Sequence, residues 1–342
     1  MIDDVQARPG RLRSILPLVM LTLVVLIWSS NNIATKLVLR ETTPGLLTMV
    51  RFTLTTALFY LPAFFLIRKI GQPMSRADWG RLAFASLTGY ALSALMFMNG
   101  ISMVTATYAS LMMMTGPLWT ALLERLFVGT VIGRLQLVGM AVSFGAAAWL
   151  ATGGNLESAD SNLIIGSLLL MGCQTTWGGY TILTKPLLAR RPPLMIVTSA
   201  SLIATPAMWP ITGWMGAFNE LPQVVTWSTS TWLGLLYLIF IAGVCSQVLY
   251  AYGLRDVTPS QAMAFTYLMP VFTALFAALL LDEELTLTTV VCGAAIVFGL
   301  WLVNKTRPEH RRNPRPVPAK TEEVALPEPS TPLSAPERGA GG

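Results

Sequence analysis

The chain has 342 residues, 54% of them hydrophobic and 12% charged, and apolar runs long enough to span a bilayer recur from residue 15 to about residue 303. Such proportions exclude a water-soluble globule, and the net charge of +6 follows the two sides of a membrane rather than a nucleic-acid surface. The single histidine, His310, lies beyond the last run, so a histidine-based metal or acid–base site inside the bilayer is excluded.

Ten spans are predicted: 15–37, 44–67, 80–101, 105–128, 134–152, 163–184, 193–217, 230–254, 259–281 and 286–304. The polar segment 1–14 has no small-residue cleavage site after it, so the first span is expected to be a retained helix. Span 1 carries Trp28, Asn31, Asn32, Thr35 and Lys36 near its end. Lipid-facing amides would leave donors unmade, so Asn31 and Asn32 must face either a solute or a neighbouring helix. Trp28 either lines a cavity or packs. In span 2, Arg51 lies about two turns in, where an unpaired charge costs roughly 2.5–3.5 kcal/mol. It should point inward, toward a polar partner or an anionic solute group. Span 3 adds Tyr90, Met98 and Asn99, and span 4 adds Tyr108, Met112 and Met113 ahead of Pro117. Glu124 is the one acid well inside a span, either a proton-coupling carboxylate or a partner of Arg125, Arg134 or a helix end.

The second half repeats the first. Residues 100–122 and 253–275 share eight identities in twenty-three positions, including Gly100 with Gly253, Val104 with Val257 and Pro117 with Pro270. Biased composition alone would give roughly two. Span 6 carries Trp177, Ile182, Thr184 and Lys185 at the spacing of Trp28, Ile33, Thr35 and Lys36 in span 1, with Tyr180 beside them. Lys36 and Lys185 either snorkel to an interface or line vestibules. Span 8 offers Gln247 and Tyr250, and span 9 offers Thr266 and Tyr267 before Pro270. Each proline should break its helix and expose the carbonyl four residues back, Met113 or Thr266. Spans 5 and 10 both carry small residues at spacing four, Gly139 with Ser143 and Ala295 with Gly299, suited either to internal packing or to a dimer.

With the N-terminus inside, 20 of the 23 Lys and Arg fall on the cytoplasmic side, which places both termini in the cytoplasm. Five spans per repeat is odd, so the second copy enters the membrane upside down. The expected fold is therefore an all-α integral membrane protein of ten helices in two inverted five-helix repeats. The repeats cover 15–152 and 163–304, with an external linker at 153–162. Residues 305–342 contain eight prolines and read as a disordered cytoplasmic tail. Matched helix breaks in two halves point to a solute site at their interface near mid-membrane.

These residues resemble a family. The W-x-x-N start at Trp28, the Arg51–Phe52 pair, the paired prolines and the L-x-D-E-E-L segment at 280–285 look like the EamA-type transporters of the drug/metabolite transporter superfamily. The resemblance covers about 15–304. One departure is Gly129-Thr130, where the family carries Gly-Glu. The resemblance implies a central cavity lined by helices 1, 3, 4, 6, 8 and 9, opened to alternate sides by rocking bundles. It also implies a bacterial inner-membrane location. The expected function is a secondary transporter of small organic solutes (amino acids, metabolites or drug-like compounds), exporting by family analogy. Uptake, or a channel or sensor on the same scaffold, is the alternative. No cofactor is expected: Cys173, Cys245 and Cys292 lack metal-ligand spacing, and no phosphate-binding G-x-x-x-x-G-K-[ST] occurs. An intramembrane enzyme lacks its nucleophile–base pair or paired carboxylates, so no enzymatic activity is expected. The expected partners are a solute and the lipid bilayer, without nucleic acid, in a monomer or homodimer.

Overall fold

A computed structural model describes residues 11–69, 74–129, 133–151, 160–257, 259–282 and 286–305. The termini, most of the 153–162 linker, Thr130, Thr258, Glu283, Glu284 and the side chain of Tyr267 lie outside the described residues. Every regular element among the described residues is helical. The helices are α1 (Arg11–Val38), α2 (Pro44–Lys69), α3 (Arg76–Met103), α4 in two pieces (Ala106–Met113 and Gly116–Val128) and α5 (Arg134–Ala151). They continue with α6 (Ser161–Leu188), α7 (Pro193–Trp214), α8 (Thr229–Asp256), α9 and α10 (Leu287–Lys305). In α9, Pro259–Ala264 and Met269–Leu280 flank a 3-10 turn at Phe265–Leu268.

Four of these, α1, α3, α7 and α8, are long and apolar enough by length and composition to cross a membrane. Large apolar side chains such as Leu126, Phe127, Val271 and Leu279 stand exposed, as expected of a surface wetted by lipid. Many hydroxyl side chains along the helices turn back on their own backbone. Ser29 Oγ donates to Val25 O at 2.8 Å, and Thr184 Oγ1 donates to Tyr180 O at 2.7 Å. This satisfies hydroxyls that hydrocarbon could not.

Several local features occur twice. Ser75 and Ser228, at the offset that relates Gly100 to Gly253, cap α3 and α8 by accepting from the backbone N–H three residues on. Each of those helices then widens into a π segment, Ser86–Ala91 in α3 and Phe240–Cys245 in α8. Sequence patterning gave no warning of either. Pro117 and Pro270 each occupy the first turn of a new helical piece rather than a kink inside one helix. A first-turn N–H has no intrahelical partner, so proline loses nothing there. The breaks accordingly fall before the prolines, at Met114–Thr115 and at Phe265–Leu268.

Packing is exchanged between the first and second parts of the chain. Helix α1 lies against α8 and α9, while α6 lies against α3 and α4. Between α2 and α7, Thr56 and Thr205 share a 2.8 Å hydrogen bond. The small faces of α5 and α10 meet each other: a Cβ at Gly139 would overlap the carbonyl of Gly299. Ser143 Oγ donates to Ile296 O at 3.0 Å across the same seam. At the surface, Glu41 after α1 accepts from the backbone N–H of Ser228 at 2.9 Å and from its hydroxyl at 2.6 Å. Arg190 after α6 pairs with Asp78 in the first turn of α3 at 3.2 Å.

Candidate functional site

Two large buried clusters and a small third lie among the described residues, and Phe52 on α2 packs against both large ones. At the boundary of the two large clusters lies a cavity of about 110 Å³. The first part of the chain contributes Trp28, Asn31, Arg51, Phe52, Tyr90, Ser93, Phe97 and Met113 to its walls. The second part contributes Cys173, Gln174, Trp177, Ala242 and Gln247. Tyr90 and Ala242 belong to the two π segments, so the widened turns of α3 and α8 both face the cavity.

The polar chemistry centres on Arg51, which is buried. Its Nη2 donates to Asn31 Oδ1 at 2.8 Å, and the guanidinium carbon stands 5.5 Å from the centre of the Phe52 ring. Among the described residues the lining contains no acid. Around it the aromatic rings form a continuous cluster. Trp28 meets Trp177 edge-on at 5.9 Å, Trp177 stacks on Tyr180 at 5.0 Å, and Tyr250 lies 5.2 Å from Trp28. The Trp28 indole N–H donates to Ser246 Oγ at 3.3 Å.

Of the residues singled out from sequence, Trp28, Asn31, Arg51, Tyr90, Met113, Trp177 and Gln247 line this cavity. Tyr180 and Tyr250 stand behind it and line a smaller cleft with Gln247. The Tyr250 hydroxyl shares a 2.9 Å hydrogen bond with Thr181. The others lie elsewhere. Asn32 is fully buried with its amide unpartnered among the described residues. Met98 and Met112 are core side chains. Asn99 donates back to Leu95 O at 2.8 Å, Tyr108 hydroxyl donates to Leu150 O on α5, and Thr266 donates to Met263 O at 2.6 Å. Glu124 is half-buried, away from the cavity walls. Tyr267 has no described side chain.

Sequence reading passed over Phe52, Ser93, Phe97 and Gln174 as cavity residues. Gln174 carried a signal as an uncharged amide in the middle of an apolar span, and Phe52 carried one as half of the Arg51–Phe52 pair. The paired lysines do something more definite than snorkel. Lys36 Nζ donates to Ile101 O at 3.2 Å and Val104 O at 2.8 Å, at the end of α3. Lys185 Nζ donates to Leu254 O at 2.6 Å, Arg255 O at 2.8 Å and Val257 O at 2.6 Å, at the end of α8. Each lysine thus caps orphan carbonyls at a helix C-terminus, where positive charge is favoured.

Comparison with known proteins adds three kinds of likeness. The model of the EamA-like transporter family matches twice, at residues 15–152 and 164–305. An uncharacterized transporter of Archaeoglobus fulgidus is 28% identical over 83% of this chain and 95% of its own length. A probable amino-acid metabolite efflux pump of Escherichia coli is 25% identical over 83% of this chain and 93% of its own. A probable terminal-alkyne amino-acid exporter of Streptantibioticus cattleyicolor is 26% identical over 71% and 78%. One solved crystal structure superposes with a TM-score of 0.58 at 16% identity, over 86% of this chain and 98% of that one, a likeness of fold alone.

Proposed function

This chain belongs to the EamA-like transporter family, a multi-pass membrane transporter of small solutes, and on that premise we propose that it is a secondary carrier working by alternating access. In this reading ten transmembrane helices form two inverted five-helix repeats, 15–152 and 163–304, with both termini in the cytoplasm. The repeated caps, π segments and helix breaks support the repeat, and the odd number of spans supports the inversion. The bias of Lys and Arg supports the orientation.

The observation that carries the proposal is the cavity itself. It is walled by both matched segments and lies beside the interrupted α4, which supplies Met113. Its volume of about 110 Å³ is well below the roughly 300–1,000 Å³ of a ligand-filled cleft. In this reading the walls move apart to admit a solute of metabolite size. Names of relatives as exporter and efflux pump support outward transport of amino acids or related metabolites across the inner membrane. The driving force is an ion or solute gradient, since the chain carries no nucleotide-binding motif.

Counterflow in proteoliposomes tests the proposal. Preloading with unlabelled solute should accelerate uptake of the labelled form, with saturation. Uptake that never saturates and ignores preloading would identify a channel instead.

A further inference from the structure

Arg51 is buried on α2 and, among the described residues, its side chain makes a single hydrogen bond, from Nη2 to Asn31. A guanidinium has five N–H donors in a fixed fork, so most of its hydrogen-bonding capacity is unused by the protein. No carboxylate among the described residues pairs with it. Burial of a charge is tolerated when a counter-charge arrives in good geometry and is penalised when none does. Among the described residues the cavity therefore has one fixed positive charge and no negative one.

The remaining walls define the rest of the ligand. The amides of Gln174 and Gln247 line the same space and make no hydrogen bond among the described residues, leaving neutral donors and acceptors for a polar group. Trp28, Trp177 and Tyr90 present broad apolar faces. A phosphate dianion would overcompensate the single cation and leave net negative charge in a low-dielectric site. A monoanion balances it, and the planar fork of an arginine matches a carboxylate through two parallel hydrogen bonds.

We propose that the cavity takes solutes bearing one carboxylate on an apolar or aromatic body, with the Arg51 guanidinium gripping the carboxylate. This deepens the carrier reading and rests on it for the ligand being cargo. An ammonium group on the same solute is accommodated against the indole faces, which attract cations.

The test uses the purified full-length protein and three matched pairs: phenylacetate with phenylacetamide, indole-3-acetate with indole-3-acetamide, and 4-methylpentanoate with its amide. Phenyl phosphate serves as the dianion. Calorimetric titration should show a carboxylate binding at least about 30-fold more tightly than its amide, as expected for loss of one buried charge pair. Arg51→Gln should erase that difference, and Arg51→Lys should keep part of it. Equal affinity within all three pairs, or tightest binding of phenyl phosphate, would overturn the assignment. The wild-type comparison needs no variant, so a misfolded Arg51→Gln does not rescue the idea. Counterflow separates the two levels. Saturable exchange of a carboxylate-free solute, unchanged in Arg51→Gln, sinks the carboxylate grip and leaves the carrier. Arg51-dependent binding without exchange of any bound carboxylate sinks the carrier and leaves the grip.

Discussion

Asn31 accepts a hydrogen bond from one corner of the Arg51 guanidinium, and both residues line the cavity. Asn31→Ala removes a hydrogen bond to a buried charge and should lower stability by about 1.5–3 kcal/mol, measured by thermal unfolding in detergent. Asn31→Asp places a carboxylate at the same point. It should raise the melting temperature above that of Asn31→Ala while abolishing the preference for carboxylate solutes, because the counter-charge is then built in. Glu41 provides a pH handle outside the membrane-spanning segments. Hydrogen bonds from the Ser228 hydroxyl and backbone N–H hold its carboxyl below the ordinary value of 4.5. The stabilisation from a depressed carboxyl is fully present above 4.5 and is lost as pH falls through the lowered value. The melting-temperature gap between wild type and Glu41→Gln should therefore close as the pH drops below 4.5. What sequence revealed at this scale was cost. Arg51, Asn31 and Gln247 stood out because lipid would not tolerate them, and all three face the cavity. Asn32 and Asn99 stood out equally and face elsewhere. The composition of a helix does not say which side of it meets a void.

At the level of elements, α1 and α6 each end by closing off another helix. Lys185 donates to three carbonyls at the end of α8, and Lys36 does the same office for α3. Replacing Lys185 with Gln should cost about 1–3 kcal/mol, since carbonyls are left without their charged donor. Hydrogen exchange should quicken at residues 254–257, and Lys36→Gln should have its effect at 101–104. Exchange confined to the mutated helix itself would show that the caps hold nothing. The prolines were readable because their chemistry leaves few choices, although the helices stop before them rather than bending at them. The π segments were not readable. An extra residue in a helical turn leaves no mark in composition, and only tertiary packing reveals that α3 and α8 both widen where the cavity needs room.

For the whole molecule, the repeat was legible because identities recur at nearly one offset across much of the chain. Its handedness across the bilayer is an experimental question with a direct answer. Single cysteines at Glu41 and at Arg190, in an otherwise cysteine-free protein, should react with an impermeant maleimide from opposite sides of sealed cells or vesicles. Labelling from the same side would remove the inversion and the alternating-access reading with it. A disulfide across α5 and α10, between cysteines at positions 136 and 303, should leave counterflow unchanged. The Gln136 amide already donates to the Val303 carbonyl at 3.4 Å, and neither helix supplies a cavity residue among the described ones.

That separation of duties bears on how such a protein can diversify. The close backbone contact of Gly139 with Gly299 ties the molecule together on helices that supply no described residue to the cavity. Side chains at positions such as 28, 174 and 247 can then be exchanged for others without loosening that tie. New selectivity becomes a matter of redecorating a room whose beams stand in another wall.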